Sequence, residues 1–502
     1  MNTQESQVTA RKFFGLIEKG PTDRERLNHA AAEDANRGLA RFFSRHEWSS
    51  AALYFFLDVI CWVLIYGLVG WLRHDAFYET PLQFVVIDFI QLFVIVQALY
   101  FVGGYDRNVE KSALSYAVEH ILAIAVAAAI SALLIYSAAT FDQTMRPSRG
   151  VLALSFLIFL PVSLLYRRRI QQYVATASSN RAFLVIGSGP AAVRFYEAYK
   201  RSPNQERLHF VDLANDRAGR RIADEASPVV EGNVDARLND LGEHYSGIIL
   251  TKNANSLDTD LLDRLVRTQF HQMRVYTLES FFETHWRYVP LDMIDPVWPL
   301  QTGFQLARTS PYHYMKRLFD LTVSGALLII CSPLFGLIAC LIWLTSGSPV
   351  IFRQTRVGRE GRSFTAYKFR TMRNGDEDGH MYTRAGDPRV TRLGRWFRKS
   401  RLDELPQLWN VFKGDMSLIG PRAEWVRCAE RYEEKIPFYH FRHLVKPGIT
   451  GWAQVNYPYG ESDEDATEKL KYDLYYIRHY SLKLDAMIVL KTVYTMLFGK
   501  GR

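Results

Sequence analysis

Four long apolar runs limit most strongly what this chain can fold into. They cover residues 51–72, 82–103, 118–139 and 150–166, and each is about as long as the ~20 residues that a helix needs to cross a bilayer. A single run of this kind is often a buried core helix, but four in succession favour membrane spans. We therefore predict a bundle of four transmembrane helices over residues 51–170.

The cations that flank these runs predict how the bundle is oriented. Arg107 and Lys111 follow the second run, and three consecutive arginines begin at Arg167, directly after the fourth. Short loops rich in Lys and Arg stay on the cytoplasmic side, so everything after the fourth run should be cytosolic. Two arginines in the third loop oppose this orientation but are outnumbered. Residues 1–50 lack the apolar core of a signal peptide, and we interpret them as a cytosolic tail.

Two carboxylates lie inside the predicted spans, Asp58 and Asp88. Ionisable groups in a membrane are costly and often functional. Because the sequence identifies no partner for either one, packing or interface roles are favoured over transport. The four cysteines form no CxxC pair and no cluster with metal-ligand spacing, so neither disulfides nor a zinc site are expected.

A strand–turn–helix pattern follows the spans in "AFLVIGSGPAAVRFYEAYK". Its Gly-x-Gly-x-x-Ala turn, formed by Gly187, Gly189 and Ala192, is a degenerate form of the turn that brings backbone N–H groups to a diphosphate. Asp212 lies near the position of a ribose-binding acid. Further strands are predicted at 208–213, 247–251 and 273–277, which indicates a parallel, Rossmann-like α/β domain over 181–295.

Two interpretations of this domain remain open, and a structural or regulatory role is favoured over a working dinucleotide site. An NAD-dependent sugar-nucleotide-modifying enzyme would need a Tyr-x-x-x-Lys pair after the strands. The spacing occurs in the α/β region only at Tyr196 and Lys200, which is too early in the chain for that role.

A fifth apolar segment, residues 321–344, should enter the membrane without crossing it. Lys316 and Arg317 precede it and four arginines follow it closely, so both ends favour the cytoplasmic side. Ser332 and Pro333 lie at its midpoint, where proline removes a helix hydrogen bond and the serine hydroxyl can bind a freed carbonyl. We predict a re-entrant helix, with a proline-kinked span as the alternative.

Beyond this segment, cations alternate with aromatic residues, as in "FRQTRVGREGRSFTAYKFRTMRN". The chain as a whole has a net charge of +9. Such a surface suits anionic membrane lipids. Nucleic acid is not expected as a partner, because no nucleic-acid module accompanies the spans.

Two adjacent carboxylates, Asp403 and Glu404, stand in "SRLDELPQLWN". If Asp403 is an N-cap, Pro406 lies in the first turn of a helix that ends at Gly414. The helix dipole, Lys399 and Arg401 would then favour both ionised forms. An ionised carboxylate can attack phosphorus, and its neighbour can hold Mg²⁺ against a diphosphate. A plain capping role is the alternative.

Several segments from residue 312 onward resemble the bacterial sugar transferase family. They are "KRLFD", "YKFRTM", "LDELPQLWNVFKGDMSLIGPR", "VKPGITGWAQVN" and "EKLKYDLYYIRHYSLKLD", which occur in this order. The resemblance is to the large monotopic polyprenyl-phosphate hexose-1-phosphate transferases that begin exopolysaccharide or O-antigen assembly. It implies a monotopic α/β catalytic domain over 312–502, with Ser332 and Pro333 at the membrane break.

The resemblance also implies a two-step reaction. The aspartate that matches Asp403 attacks the β-phosphorus of a UDP-hexose and releases UMP, and undecaprenyl phosphate then takes the hexose-1-phosphate from the enzyme. Glu404 matches the acid that holds Mg²⁺, the expected cofactor. Residues expected to bind substrate are Lys368, Arg370, Arg401, Arg422 and Asp473.

Taken together, these features predict a multi-pass protein of the bacterial inner membrane whose catalytic domain lies on the cytoplasmic face. Glucose-1-phosphate is the favoured group and galactose-1-phosphate the alternative. The expected partners are UDP-hexose, undecaprenyl phosphate, membrane lipids and downstream glycosyltransferases. A homodimer, with a second copy of the chain as partner, is left open. A non-enzymatic membrane scaffold remains a rival interpretation, which predicts that Asp403→Asn changes nothing.

Overall fold

A computed structural model gives the fold of most of the chain. It describes residues 47–73, 85–107, 109–141, 148–178, 181–202, 206–214, 216–239, 241, 244–252, 257–271, 273–294, 298–300, 303–304, 307, 310–373, 387, 389–457, 460 and 462–498. The predicted cytosolic tail falls almost wholly outside these residues, and so does most of the third membrane loop.

The four apolar runs form helices. These are α1 (Glu47–Leu72), α2 (Ile90–Phe101), α3 (Leu114–Ala138) and α4 (Arg149–Ser178). By length and composition, α1, α3 and α4 can cross a membrane. Helix α2 has 12 residues and continues from a π-helical turn at Val85–Phe89, so within the described residues it qualifies only as a shorter apolar helix. Three of the predicted spans are thus supported by helix length, and the fourth stays a prediction.

The interior of this bundle is aromatic and aliphatic. Trp62, Ile95 and Phe159 are fully buried, and the Trp62 and Phe159 rings meet edge to face at 5.5 Å between centroids. Leu64 and Leu133 on the outside are about two-thirds exposed. Apolar residues on both faces are typical of helices surrounded by lipid.

Asp58, which lacked a partner in the sequence, is bound by Arg167 of α4. The guanidinium donates to both carboxylate oxygens, at 2.8 and 2.6 Å, and both side chains are fully buried. Tyr105 donates to Oδ2 at 2.6 Å, and Tyr166 donates to Oδ1. Arg167 is therefore part of the bundle interior as well as of the basic flank from which orientation was predicted. Asp88 is buried at the π-helical turn.

The predicted parallel α/β unit follows. Its strands are β1 (Ala182–Ile186), β2 (Arg207–Val211), β3 (Tyr245–Leu250) and β4 (Val275–Thr277), all parallel, in the order β2-β1-β3-β4. Its helices are α5 (Pro190–Lys200), α6 (Val234–Asn239), α7 (Thr259–His271) and α8 (Leu278–Phe281). Strand β1 is buried throughout, as a central strand covered on both faces must be.

Side chains of the α/β unit itself contact its glycine turn. Gly187 has a φ of +114° and packs against the Thr251 side chain, which explains the glycine without any ligand. Asp212 accepts hydrogen bonds from the Ser188 hydroxyl at 2.7 Å and from the Arg217 backbone N–H at 3.0 Å. Its carboxylate is thus already bound within the chain. Nucleotide binding here, and the Rossmann-like assignment itself, stay predictions.

The fifth apolar segment forms two helices joined at a sharp bend. These are α9 (Tyr312–Ile330) and α10 (Ser332–Ser346), and their axes differ by 60°. Pro333 lies in the first turn of α10, where its missing N–H costs nothing. The Ser332 hydroxyl donates to the Ile329 carbonyl at 2.8 Å. The break therefore lies at the predicted residues, and this geometry fits either a re-entrant loop or a broken span.

The remaining strands form two small sheets around the C-terminal core. Antiparallel β5 (Ile351–Val357) and β6 (Ser363–Phe369) form one, and parallel β7 (Ser417–Ile419) and β8 (Gly448–Thr450) form the other. The helices are α11 (Arg392–Lys399), α12 (Gln407–Lys413), α13 (Val426–Lys435), α14 (Trp452–Asn456), α15 (Asp463–Arg478) and α16 (Leu482–Phe498).

Helix α16 attaches this C-terminal unit to the membrane bundle. Lys483 contacts both carboxylate oxygens of Asp106, at 2.9 and 3.0 Å, in the loop between α2 and α3. Arg287, which lies after α8 near the end of the α/β unit, reaches the same carboxylate at 3.3 Å. Lys491 lies 3.8 Å from Glu119 of α3. The pairs of Lys483 and Lys491 hold the C-terminal unit beside the bundle, and the pair of Arg287 holds the α/β unit there.

Candidate active site

The two adjacent carboxylates lie in a 3₁₀ turn before a short helix. The turn covers Leu402–Glu404, and α12 begins only at Gln407, with Pro406 in the N-cap position. The prediction that Asp403 is the N-cap is therefore wrong. Arg401 takes a left-handed conformation, with a φ of +57°, and is the N-cap residue of the 3₁₀ turn, so the carboxylates lie in this turn and precede α12. Gly414, with a φ of +102°, ends α12 as predicted.

Glu404 is held by three cations. Lys368 of β6 donates to its Oε1 at 2.6 Å, and two Arg422 nitrogens lie 3.3 and 3.4 Å from the same oxygen. Arg401 lies 3.8 Å from Oε2. These cations hold the pKa of Glu404 well below its usual range, although its burial opposes them. The structure thus brings Lys368, Arg401 and Arg422 together around one ionised acid.

Asp403 lies in a different environment from its neighbour. Its side chain is buried, and within the described residues its Oδ1 has no hydrogen-bond partner. Burial and then the Glu404 charge raise its pKa, whereas Lys368, Arg398 and Arg401 lower it. The helix dipole, Lys399 and Arg401 were expected to favour the ionised forms of both acids. At Asp403 the net pKa shift is upward instead, because desolvation and the adjacent Glu404 charge outweigh the cations.

Arg370 binds the C-terminal end of α10. Its guanidinium donates to the carbonyls of Ser346 and Gly347 at the end of α10. These carbonyls have no partner within the helix, so Arg370 fixes α10 to β6. Its predicted contact with substrate stays a prediction.

Lys368, Arg401 and Arg422 form the cation cluster around Glu404. Asp473 of α15 is linked to this cluster through an arginine that the sequence analysis missed. Arg442 donates to Asp473 Oδ2 at 2.9 Å and to the Arg422 backbone carbonyl, also at 2.9 Å. Burial raises the pKa of Asp473 to about 6, against the opposing effect of Arg442. Asp473 therefore holds Arg442 in place, and Arg442 in turn binds the backbone carbonyl of Arg422. The signal for Arg442 was a lone cation in the aromatic stretch "FYHFRHL".

The glycines around Arg422 allow two backbones to approach closely. Gly420 N–H donates to the Thr450 carbonyl and Gly448 N–H to the Pro421 carbonyl, both at 2.8 Å. A Cβ at Gly420, Gly448 or Gly451 would collide with the facing backbone. These positions thus have a structural role, and they place Arg422 beside Glu404.

The described residues contain no group of three His, Cys, Asp or Glu side chains that could hold a metal ion. Mg²⁺ is commonly bound by one or two carboxylates together with substrate phosphates. The residues here fit this arrangement, in which Glu404 would be the protein ligand and the substrate phosphates would supply the other oxygens. An ion bound at Oε2 would not have to displace Lys368 from Oε1, because among the described residues the cation paired with Oε2 is Arg401, at 3.8 Å.

Comparison with known proteins identifies the family of this chain. The family description "Bacterial sugar transferase" matches residues 311–499. An undecaprenyl-phosphate glucose phosphotransferase of Komagataeibacter xylinus is 33% identical over 375 residues, which cover 72% of this chain and 67% of that protein. The chain belongs to the bacterial sugar transferase family.

Two other bacterial sugar transferases are similar over shorter stretches. A UDP-N-acetylgalactosamine-undecaprenyl-phosphate N-acetylgalactosaminephosphotransferase of Aeromonas hydrophila is 40% identical over 264 residues, 52% of this chain and 62% of its own. A UDP-glucose:undecaprenyl-phosphate glucose-1-phosphate transferase of Escherichia coli is 44% identical over 191 residues, 37% of this chain and 41% of its own. The match thus spans about half the length of these two relatives.

Proposed function

We propose that this sugar transferase moves a hexose-1-phosphate from a UDP-hexose to undecaprenyl phosphate, through a covalent intermediate on Asp403. The observation that carries the proposal is the contrast between the adjacent acids. Glu404 is neutralised by three cations, whereas Asp403 keeps an oxygen without a hydrogen-bond partner among the described residues. A carboxylate oxygen in that state can form a bond to an incoming phosphorus.

In the first step, an Asp403 oxygen attacks the β-phosphorus of the UDP-hexose. A bond forms between that oxygen and phosphorus, and the bond between the β-phosphorus and the bridging oxygen breaks, so that UMP leaves with the bonding electrons. Lys368, Arg401 and Arg422 surround the carboxylates. They are available to stabilise the negative charge that shifts toward the leaving UMP.

In the second step, an oxygen of undecaprenyl phosphate attacks the same phosphorus and Asp403 leaves as a carboxylate. The product is a polyprenyl diphosphate hexose, and the enzyme returns to its starting state. The cation cluster serves this step in the same way. The end of α10 is bound through Arg370 to the end of β6, which carries Lys368, and this would let a membrane-bound phosphate reach the site from the bilayer surface.

Mg²⁺ belongs to this proposal as the cofactor. Glu404 is the residue that would hold it together with phosphate oxygens of the substrate, and the ion would neutralise diphosphate charge. Lys368 and Arg422 bind the same carboxylate, so they would orient Glu404 toward the diphosphate.

Glucose is the proposed hexose, and galactose and N-acetylgalactosamine are the sugars to compare with it. Relatives are named for glucose and for N-acetylgalactosamine. The proposed location is the bacterial inner membrane, with the carboxylates on the cytoplasmic face and exopolysaccharide assembly as the process.

The test uses purified full-length protein and UDP-glucose labelled with ³²P at the β-phosphorus. Without lipid phosphate, wild type should release UMP once per chain and retain the label covalently, and undecaprenyl phosphate should then remove it. Asp403→Asn should lose both UMP release and protein labelling, by on the order of 10⁴-fold or more. The control is Asp224→Asn, which removes an exposed carboxylate paired with Lys200 at 2.9 Å. Equal labelling of Asp403→Asn and wild type would refute the nucleophile.

A further inference from the structure

A small cavity rich in cations lies at the opposite end of α12 from the carboxylates. Its volume is about 50 Å³, and its lining includes His313, Lys316, Arg317, Arg359 and Lys446, together with Asp320. A single water needs only about 10–15 Å³, so a small polyatomic anion can enter.

Helix α12 separates this cavity from the active site. Arg317 donates to the carbonyls of Val411 and Phe412, in the last turn of α12, at 2.7 and 2.8 Å. Asp403 and Glu404 precede the first residue of the same helix. Seven helical residues rise about 10 Å, so a group in the cavity is distinct from a diphosphate at Glu404.

Positive charge in the cavity exceeds the negative charge that balances it. Lys316 is neutralised by Asp485, but Arg317 binds only neutral carbonyls in its contacts with α12. The Lys446 ammonium forms no hydrogen bond or ion pair with any residue that the structure describes. Arg359 Nε is buried and lies 3.5 Å from Glu360 Oε1. The Glu360 side chain is half exposed, and exposed ion pairs are weak, so Glu360 neutralises Arg359 only in part.

Two of these cations approach each other closely. A Cβ on Gly414 would lie 3.2 Å from Arg317 Nη2 and 3.6 Å from Lys446 Nζ. Both cationic nitrogens therefore lie beside Gly414, at the end of α12. Burial and then Arg317 lower the pKa of Lys446. Asp320 opposes this shift, but one carboxylate cannot balance the charges of Arg317, Arg359 and Lys446 together.

We propose that Arg317, Arg359 and Lys446 bind a phosphate group, namely the headgroup phosphate of an anionic membrane lipid. Arginine and lysine together suit phosphate oxygens. The lipid assignment rests on α9, which carries Arg317 and also exposes Tyr314, Met315 and Leu318 to the surroundings. Apolar side chains next to a phosphate site place this turn at headgroup depth. Binding there would fix the depth of the catalytic unit, and it requires neither UDP-hexose nor Asp403.

The experiment measures how fast the Lys446 amine is modified in the full-length protein. Protein in nanodiscs of phosphatidylcholine alone, or of phosphatidylcholine mixed with phosphatidylglycerol, is treated with an amine reagent, and peptides are quantified by mass spectrometry. A third arm adds inorganic phosphate to phosphatidylcholine nanodiscs. Lys413, whose side chain is 58% exposed and paired with Asp415, serves as the internal control near the same helix end.

Phosphatidylglycerol should slow modification of Lys446 several-fold and leave Lys413 unchanged. Arg359→Gln should abolish this protection, and Arg359→Lys should retain part of it. Asp403→Asn should retain all of it, which separates the result from the proposed reaction. Protection by inorganic phosphate alone would identify a phosphate site supplied from solution and overturn the lipid assignment. Equal modification of Lys446 in all three arms would overturn the site altogether.

Discussion

Lys368 Nζ donates a 2.6 Å hydrogen bond to Glu404 Oε1, and this contact connects β6 to the turn that carries both carboxylates. Burial lowers the pKa of Lys368 to about 8, with Arg422 and Arg356 acting in the same direction and Glu404 opposing them. Lys368 is therefore the cation of this cluster that can lose its charge within an accessible pH range.

The first prediction concerns alkaline pH. As the pH rises through about 8, Lys368 should lose its proton and UMP release should decline, because a cation near the diphosphate disappears. Lys368→Met should lower the rate about 10²–10³-fold at neutral pH. Lys368→Arg should restore part of the rate and move the decline to higher pH, since arginine keeps its proton. A decline at the same pH in Lys368→Arg would assign it to another group.

The second prediction concerns acidic pH. The raised pKa of Asp403 means that the nucleophile becomes protonated, as the pH falls, at a higher pH than an ordinary aspartate, whose pKa is about 3.9. Glu404→Gln removes the neighbouring negative charge, so the acid decline should move to lower pH even though the overall rate falls. Single-turnover labelling of the protein across pH measures this shift. The control is Glu360→Gln, which changes a half-exposed carboxylate and should leave the acid decline at the same pH as in wild type.

Local sequence patterns predicted the elements whose conformation depends on nearby residues. The buried apolar run of β1, the stop at Gly414 and the break at Ser332 and Pro333 all follow from residues within one or two turns. The start of α12 was placed too early because Asp403 resembles an N-cap. The left-handed Arg401 instead directs the chain into a separate 3₁₀ turn.

Pairs distant in sequence could not be predicted in this way. Asp58 and Arg167 are separated by 109 positions, and Arg442 and Asp473 come from different elements. One sequence gives no information on which distant charges meet. The same limit applies to Asp403 and Glu404. Burial raises the pKa of Asp403, and Lys368 and Arg422 lower that of Glu404, and neither the burial nor these two contacts can be read from the sequence around the pair.

The third prediction tests the ion pair in the membrane bundle. Asp58 and Arg167 are both fully buried, so Asp58→Asn or Arg167→Met alone should lower the free energy of unfolding by about 3–5 kcal/mol, because each leaves a polar or charged partner uncompensated. The double variant Asp58→Asn/Arg167→Met should lose less than the sum. Thermal denaturation in detergent measures all three. Additive losses would show that the two side chains do not act as a pair.

The fourth prediction distinguishes a re-entrant segment from a broken span. Tyr314 near the start of α9 and Thr345 near the end of α10 are both exposed, so each is replaced by cysteine in a chain whose native cysteines are changed to serine. For a re-entrant segment, an impermeant thiol reagent should label Tyr314→Cys and Thr345→Cys in inside-out vesicles only, together with Glu197→Cys in the α/β unit. A span that crosses the bilayer would expose the two positions on opposite sides. Ser332→Ala/Pro333→Ala should increase labelling of Thr345→Cys from the outside, because it restores an unbroken helix that is long enough to cross.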